Sequence, residues 1–320
     1  GLLLAALLST GESVAVADPV FRFGDAQPLG IRGQGGFYAS GPELSSDGLT
    51  LYYSNLVVRQ AIRQSLSDPW EDFSPVPGVN SGQYTKHPTI SADGLTMVVQ
   101  SNRSRGGDDR DLWMTTRSSL DSPWGEPVRL PDPINSSGSP PSFERDPELT
   151  ADGLTLYYAT DANDSPRVHD IYMVTRPSTS EPWSEPVELP EYISAPMQHE
   201  SMPSISADER ILFFIRAEWW DLPHTIWVST RLSKSDPWGQ PVPAGGSVDR
   251  FGHEYHVDVS HDVSSLRFDY QPGGGCCGEL DIWEAPILAF NFFSDGDIDA
   301  SGALDARDID RLTTEVAIPE

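Results

Sequence analysis

The residues with the clearest capacity for chemistry form a twelve-residue acidic stretch near the end of the sequence. Side-chain oxygen donors stand at positions 1, 3, 5, 9 and 12 of this stretch, and glycine stands at position 6. Ca²⁺ needs six to eight oxygen ligands, and a backbone carbonyl at position 7 adds one more. The sequence predicts a Ca²⁺ site formed by Asp297, Asp299, Ser301, Ala303, Asp305 and Asp308. The alternative is an acidic tail with accidental spacing.

A second set of candidate residues stands at fixed distances before a repeated proline. Three residues before it, the last three copies carry carboxylates, Glu144, Glu200 and Glu254, where the first two carry Ala39 and Thr85. The neighbouring positions are aromatic, imidazole-bearing or cationic. These are Tyr38, Tyr84, Lys86, Phe143, Arg145, His199 and His253.

Equivalent positions of a closed ring of repeats lie at one height around its axis, so these side chains are expected on one rim of a central channel. Aromatic rings and polar groups in such a pocket suit sugar stacking or cation binding. Two of the three glutamates could instead act as the carboxylate pair of a glycoside hydrolase. A third possibility is that each glutamate only hydrogen-bonds to backbone groups where repeats meet.

The elements that position these residues are short strands. The phrase Ser/Thr-x-Asp-Gly-Leu-Thr recurs at Asp47, Asp93 and Asp152, with weaker copies at Asp208 and Asp262. A period of roughly 50 residues indicates a propeller or an array. Four copies also carry an Asp-Leu-Trp-like strand, and four carry a Pro-Trp pair. Asp-Gly between two apolar runs predicts a hairpin, so we expect four strands per unit.

The ends of the repeat region predict a closed ring. Residues 23–29 have the pattern of an outer strand that precedes its own unit, whereas the last unit stops after Trp283. The N-terminal strand can therefore complete the last sheet and cover its edge. The predicted fold is all-β: a five-bladed β-propeller of four-stranded blades over residues 18–288, followed by a small calcium-binding segment over residues 289–320.

Two resemblances follow from these motifs. The Ser-x-Asp-Gly phrase with Asp-Leu-Trp resembles the WD40-like PD40 repeats of TolB-type propellers over about residues 21–287. The acidic stretch resembles the Ca²⁺ loop of type I dockerins, which implies a cohesin-like or cell-surface partner. A dockerin has two such loops and this chain has one, so cohesin binding stays an open question.

Composition and the first residues bear on location and partners. Residues 1–17 have the apolar core and the small-residue cleavage site of a signal peptide, which predicts a secreted, extracellular or periplasmic protein. The net charge of −27 disfavours nucleic acid and anionic membranes, and no membrane span is expected. Cys276 and Cys277 are adjacent, and a vicinal disulfide and two free thiols are both open.

Three functions are compatible with these features. The leading interpretation is a non-catalytic binding module that takes a glycan or protein ligand at the channel rim and is tethered through its Ca²⁺-binding tail. The alternative is a polysaccharide-degrading glycoside hydrolase that uses the channel carboxylates. A TolB-like envelope scaffold is a further alternative, since one propeller fold serves many functions.

Overall fold

The described residues of this computed structural model form five antiparallel sheets. They are residues 21–32, 38–80, 84–104, 110–136, 142–161, 168–217, 224–249, 254–270 and 281–290. The first strands in the chain are β1 (Phe21–Phe23) and β2 (Gln27–Arg32). Blade I comprises β3 (Ser40–Leu44), β4 (Thr50–Asn55), β5 (Val57–Ile62) and β6 (Glu71–Pro75). Blade II comprises β7 (Thr85–Ile90), β8 (Thr96–Ser101), β9 (Asp111–Thr116) and β10 (Val128–Arg129).

The remaining three blades repeat this order from the innermost strand outward. Blade III comprises β11 (Glu144–Leu149), β12 (Thr155–Thr160), β13 (Asp170–Thr175) and β14 (Val187–Glu188). Blade IV comprises β15 (His199–Ile205), β16 (Ile211–Ala217), β17 (Thr225–Thr230) and β18 (Val242–Pro243). Blade V comprises β19 (Glu254–Val259), β20 (Ser265–Tyr270) and β21 (Asp281–Phe290). The prediction of a five-bladed β-propeller is confirmed.

The N-terminal strands close blade V. Strand β2 pairs with the first half of β21, with Gln27 opposite Glu284, and β1 pairs with the second half, with Phe21 opposite Phe290. Because β21 would otherwise be an unpaired edge, this pairing removes a site for aggregation. The predicted closure by an N-terminal strand is confirmed.

The second strand of each blade is buried because both of its faces are covered. Every side chain of β8, β12 and β16 is buried. Each sheet is packed between two neighbours, so alternation between apolar and polar residues is lost, as the sequence indicates.

The Asp-Gly hairpin turns have a shared set of contacts. In blade I, Asp47 Oδ1 accepts from Ser45 Oγ at 2.6 Å and from the backbone N–H of Leu49 at 2.9 Å. The glycine that follows the aspartate has a positive φ, for example 70° at Gly48. The two weaker copies keep this conformation with Glu209 and Val263 at the same position, each with a φ of 57°.

An arginine at the end of the third strand ties each of the first four turns to its Pro-Trp pair. Arg117 Nε donates to Gly94 O at 2.7 Å while its guanidinium lies 4.4 Å from the centre of the Trp124 ring. The same arginine–tryptophan contact occurs in blades I, III and IV, in the pairs Arg63–Trp70, Arg176–Trp183 and Arg231–Trp238. The repeated tryptophans therefore stabilise blades. No helix in the described part of the chain has the length and hydropathy to cross a bilayer.

Candidate functional site

The innermost strand of every blade is irregular at the same place, directly before the repeated proline. The register of pairing shifts there in all five blades, for instance between Arg145 and Glu148. Gly41, His87, Asp146 and Met202 have positive φ angles between 47° and 61° at this bulge. A bulge turns one side chain away from the regular alternation. Here it directs these residues, and His256 of blade V, to a cavity of about 30 Å³ on the axis.

Side chains satisfy the backbone N–H groups that the bulge removes from the ladder. Ser54 Oγ accepts from the N–H of His87 at 2.9 Å, and Gln100 Oε1 accepts from that of Asp146 at 3.0 Å. Asp269 Oδ1 accepts from the N–H of His256 at 2.6 Å. Buried donors are thus paired, and the bulge is held in place.

Two histidines meet on the axis, each backed by a carboxylate. His87 Nδ1 lies 2.5 Å from Asp146 Oδ1, and His256 Nδ1 lies 2.9 Å from Asp269 Oδ2. The two Nε2 atoms are 2.8 Å apart. Ligand atoms of His87, Asp146 and His256 lie within 4.8 Å of one another, the one such group of three among the described residues. We call His87, His256, Asp146 and Asp269 the axial cluster.

Burial and neighbouring charges shift the pKa values of His87 and Asp146. Burial, together with the nearby His256, lowers the pKa of His87 to about 4, although Asp146 opposes the change. Burial acts to raise the pKa of the Asp146 carboxyl, but His87 and then Arg145 outweigh it and hold that pKa well below its usual range. Asp146 is therefore an anion at neutral pH and His87 is neutral.

A second layer on the axis connects all five blades. In each blade one side chain of the innermost strand accepts a hydrogen bond from a backbone N–H of another blade. The donor is the residue directly after the one that occupies the equivalent position in that other blade. The acceptors are Glu43 from Ile90, Thr89 from Leu149, Glu148 from Ile205, Ser204 from Val259 and Asp258 from Leu44, at 2.7 to 3.2 Å. We call Glu43, Thr89, Glu148, Ser204 and Asp258 the inter-blade belt. It closes the ring and leaves only about 10 Å³ of space beyond it.

Cationic and aromatic side chains surround the channel end where the innermost strands begin. The Lys86 ammonium lies 4.8 Å from the centre of the Tyr84 ring, and the Arg110 guanidinium lies 5.1 Å from it. Arg145 follows on blade III. Burial and then Arg110 lower the pKa of Lys86. We call Tyr84, Lys86, Arg110 and Arg145 the cationic mouth.

Two histidines continue this surface on blades III and IV. His169 Nδ1 lies 3.4 Å from His199 Nδ1. Burial lowers the pKa of His169 to about 3, and the nearby Arg145 contributes to the shift. Burial, followed by Arg145, also lowers the pKa of His199. Both imidazoles are therefore neutral at neutral pH, and the positive charge of the mouth comes from the lysine and the two arginines.

The predicted carboxylate column lies inside the blades. Ala39, Thr85, Glu144 and Glu200 are all buried, with Glu144 1% exposed and Glu200 0% exposed. The expectation that they converge on the channel rim is therefore wrong for these residues. The physical reason is the bulge, which shifts the alternation by one residue, so that the position directly before the proline faces the axis. The side chain of Glu254 and all of His253 lie outside the described residues.

The buried glutamates have contacts of their own. Glu200 Oε1 accepts from Arg216 Nε at 2.7 Å, and Glu144 Oε1 accepts from Ser142 Oγ. Burial raises the pKa of each carboxyl to about 8, against the opposing effects of these donors. Their catalytic role stays a prediction.

The predicted rim residues are partly brought together. Tyr84, Lys86, Arg145 and His199 lie at the mouth, whereas Tyr38 is 41% exposed on blade I. The N–H of Phe143 donates to Asp161 Oδ1 at 2.8 Å.

Sequence reasoning missed the axial cluster, Arg110 and His169. The available signal was the column of His87, Asp146 and His256 directly before the proline or its replacement Val257. The residue before each Asp-Leu-Trp-like strand, such as Arg110 and His169, was a second signal.

Two predicted features lie outside the described residues. The Ca²⁺ loop at 297–308 and the signal peptide at 1–17 both stay predictions, as does any disulfide between Cys276 and Cys277. A separate concavity of about 620 Å³ lies at the seam of blades V and I, at the end with the Asp-Gly turns; Asp47, Arg63, His261 and Arg267 are among its lining residues.

Comparison with known proteins identifies the fold and no family. No family model matches the sequence, and no curated protein matches it. Among solved structures, a thermostable family-43 glycoside hydrolase aligns with a TM-score of 0.57 at 16% identity, covering 83% of this chain and 92% of that one. A family 117 glycoside hydrolase from the marine bacterium Zobellia galactanivorans aligns with a TM-score of 0.56 at 11% identity, covering 84% and 92%.

The similarity to TolB is weaker. TolB from Acinetobacter baumannii aligns with a TM-score of 0.44 at 12% identity, covering 81% of this chain and 56% of TolB. The resemblance to TolB-type propellers therefore stays an inference from the repeats. What the solved structures share with this chain is the propeller itself, and many of them are glycoside hydrolases.

Proposed function

We propose that this protein acts on carbohydrate at the cationic mouth and that its ligand is an anionic glycan, such as one that carries uronic acids. The observation that carries the proposal is the sign of the charge. In a chain with a net charge of −27, Lys86, Arg110 and Arg145 gather at one end of the channel. If the mouth simply followed the overall charge of the chain, it would be negative.

Arg110 repels the other two cations of the mouth. After the larger effect of burial it lowers the pKa of Lys86, and it also lowers that of Arg145, although Asp146 acts on Arg145 in the opposite direction. A carboxylate placed among them would relieve this repulsion, and arginine can bind it in a bidentate manner. The Tyr84 ring contacts both Lys86 and Arg110 and so helps to fix where these two cations lie. The glycoside hydrolases among the structural neighbours support carbohydrate as the ligand class.

The test is calorimetric titration of tri-galacturonate and of a neutral galacto-oligosaccharide of the same length. We expect binding of the acidic sugar only, weakened about tenfold or more in Arg110→Gln, because a hydrogen bond to a charged group contributes about 1.5–3 kcal/mol. Arg22→Gln removes an exposed arginine on β1 and serves as the matched control. Equal affinity for both sugars, or no loss in Arg110→Gln, contradicts the proposal.

Hydrolysis of the glycan is a second candidate, supported by the glycoside hydrolases among the solved structures that share this fold. Burial raises the pKa of Glu144 to about 8, but this side chain is 1% exposed inside blade III and is not placed to contact a ligand at the mouth. Release of reducing sugar from tri-galacturonate would distinguish an enzyme from a binding module.

A further inference from the structure

The axial cluster has a hydrogen-bonding pattern that leaves two ring nitrogens facing one another. Carboxyl oxygens of Asp146 and Asp269 lie against the Nδ1 atoms of His87 and His256 at 2.5 and 2.9 Å, in the position of hydrogen-bond acceptors. Each Nδ1 therefore carries its proton. A neutral imidazole that holds its proton on Nδ1 has a lone pair on Nε2.

The two lone pairs are directed at one another across 2.8 Å. Two acceptors at this distance repel unless a positive centre lies between them, either a proton or a metal ion. In metal sites, histidines commonly donate the other ring nitrogen to a carboxylate, which fixes the ring and increases its basicity. Both histidines of the axial cluster have this arrangement, on opposite sides of one point.

We propose that His87 and His256 bind one divalent transition-metal ion on the propeller axis through their Nε2 atoms, with Asp146 and Asp269 as the positioning residues. Imidazole ligands favour Zn²⁺, Ni²⁺ or Cu²⁺ over Ca²⁺ or Mg²⁺. With metal–nitrogen distances of about 2.0–2.1 Å and tetrahedral angles, the Nε2 atoms would stand roughly 3.3 Å apart. That is a small opening from the 2.8 Å observed.

The surroundings of the pair have space for such an ion. The cavity on the axis measures about 30 Å³, and Met202 also lines it. Gly41 closes one side, and a Cβ there would lie 3.0 Å from His87 Cδ2 and 3.7 Å from His256 Cδ2. Asp146 Oδ2 is buried and has no hydrogen-bond partner among the described residues. It is a further oxygen donor beside the pair, and solvent would complete the coordination.

The ion would join distant parts of the chain. His87 lies on blade II and His256 on blade V, 169 residues apart in sequence. A site with two protein nitrogens keeps open positions, unlike a closed structural zinc site. It lies one layer below the cationic mouth, so an ion there adds positive charge on the side from which an anionic ligand approaches. The metal proposal itself stands independently of the proposed function.

The test is equilibrium dialysis of the full chain against Zn²⁺ after removal of metals with a chelator. We expect one ion per chain in the parent protein, and that ion lost in His87→Gln and in His256→Gln. His261→Gln serves as the matched control, because His261 lines the concavity at the opposite end, and it should retain the ion. Excess Ca²⁺ should not displace Zn²⁺. Addition of Zn²⁺ should raise the melting temperature of the parent protein and of His261→Gln, but not that of His87→Gln or His256→Gln.

A milder variant guards against loss of folding in the histidine variants. Asp269→Asn keeps the shape of the carboxylate and should weaken Zn²⁺ binding about 10- to 100-fold, since it removes a group that orients a ligand. If a proton rather than a metal ion lies between the two histidines, no Zn²⁺ should bind in the micromolar range. That result, or Zn²⁺ binding that survives in both histidine variants, overturns the proposal.

Discussion

At the scale of single residues, the carboxyls of the inter-blade belt determine how stability depends on pH. Glu148 is buried, and burial, with Asp258 nearby, raises its pKa to about 8, against an ordinary value near 4.5. Burial likewise raises the pKa of Asp258 to about 6. A raised pKa means that the folded protein holds the proton more tightly than the unfolded chain. The stability gained from that proton is complete below pH 4.5 and is lost as the pH rises towards 8.

We therefore predict that the free energy of unfolding falls from pH 5 to pH 8 and that Glu148→Gln reduces this slope. One titrating group contributes about 1.4 kcal/mol per pH unit between its two pKa values. The glutamine keeps an oxygen to accept from the Ile205 N–H. Urea unfolding at pH 5, 6, 7 and 8 measures the slope. Glu185→Gln, at an exposed residue, is the control. Equal slopes in parent and Glu148→Gln would show that Glu148 is ionised in the fold throughout.

The residue scale also explains what the sequence could not predict about the site. The predicted column of Glu144 and Glu200 assumes that strand alternation continues unbroken to the proline. The bulge interrupts it, and the left-handed conformation of His87, Asp146 and Met202 is one that side chains rarely adopt. Neighbouring side chains such as Gln100 impose this conformation from other strands. No local pattern predicts such a contact. The column of His87, Asp146 and His256 could therefore be seen in the sequence, but its position on the axis could not be predicted.

At the scale of elements, the sequence was far more informative. Hairpins, blade count and the N-terminal closing strand were all predicted, because Asp-Gly turns and their period are local signals that survive in each copy. The outer strands were harder to delimit. Strands β10, β14 and β18 have only two residues each. Two residues of each strand pair with the neighbouring strand, and the arginine–tryptophan contact lies beside them. These strands do not depend on a run of β-forming residues.

The arginine that contacts both the hairpin turn and the tryptophan stabilises the outer half of blades I to IV, and it gives a second prediction. Arg117→Lys should lower the free energy of unfolding by about 1–2 kcal/mol, because lysine loses both the planar stack on Trp124 and the directed hydrogen bond to Gly94 O. Urea denaturation of parent and variant measures it. Arg22→Lys, an exposed arginine on β1, should change stability by less than about 0.5 kcal/mol. A loss in Arg117→Lys no larger than in this control contradicts the assignment.

At the scale of the whole molecule, two sets of contacts close the ring, and they are far apart in sequence. Near the axis, the inter-blade belt connects blade V to blade I through Asp258 and the Leu44 N–H. At the periphery, β1 and β2 pair with β21. Contacts between chain ends cost the most loop-closure entropy, so the seam between blades V and I is the place where the ring is expected to open first.

A covalent link across this seam tests that expectation. Gln27 and Glu284 are direct partners in the pairing of β2 with β21, so we predict that the double variant Gln27→Cys, Glu284→Cys forms a disulfide that raises the free energy of unfolding by about 2–4 kcal/mol relative to its own reduced form. Comparing oxidised with reduced protein cancels the loss of the Glu284–Arg267 ion pair, which both forms share. The parent protein, which carries Cys276 and Cys277, undergoes the same oxidation as the control. If thiol counting and mass spectrometry show that the disulfide forms but the unfolding transition does not shift, the ring opens elsewhere. The pairing of the terminal strands is then not the weakest contact in the ring.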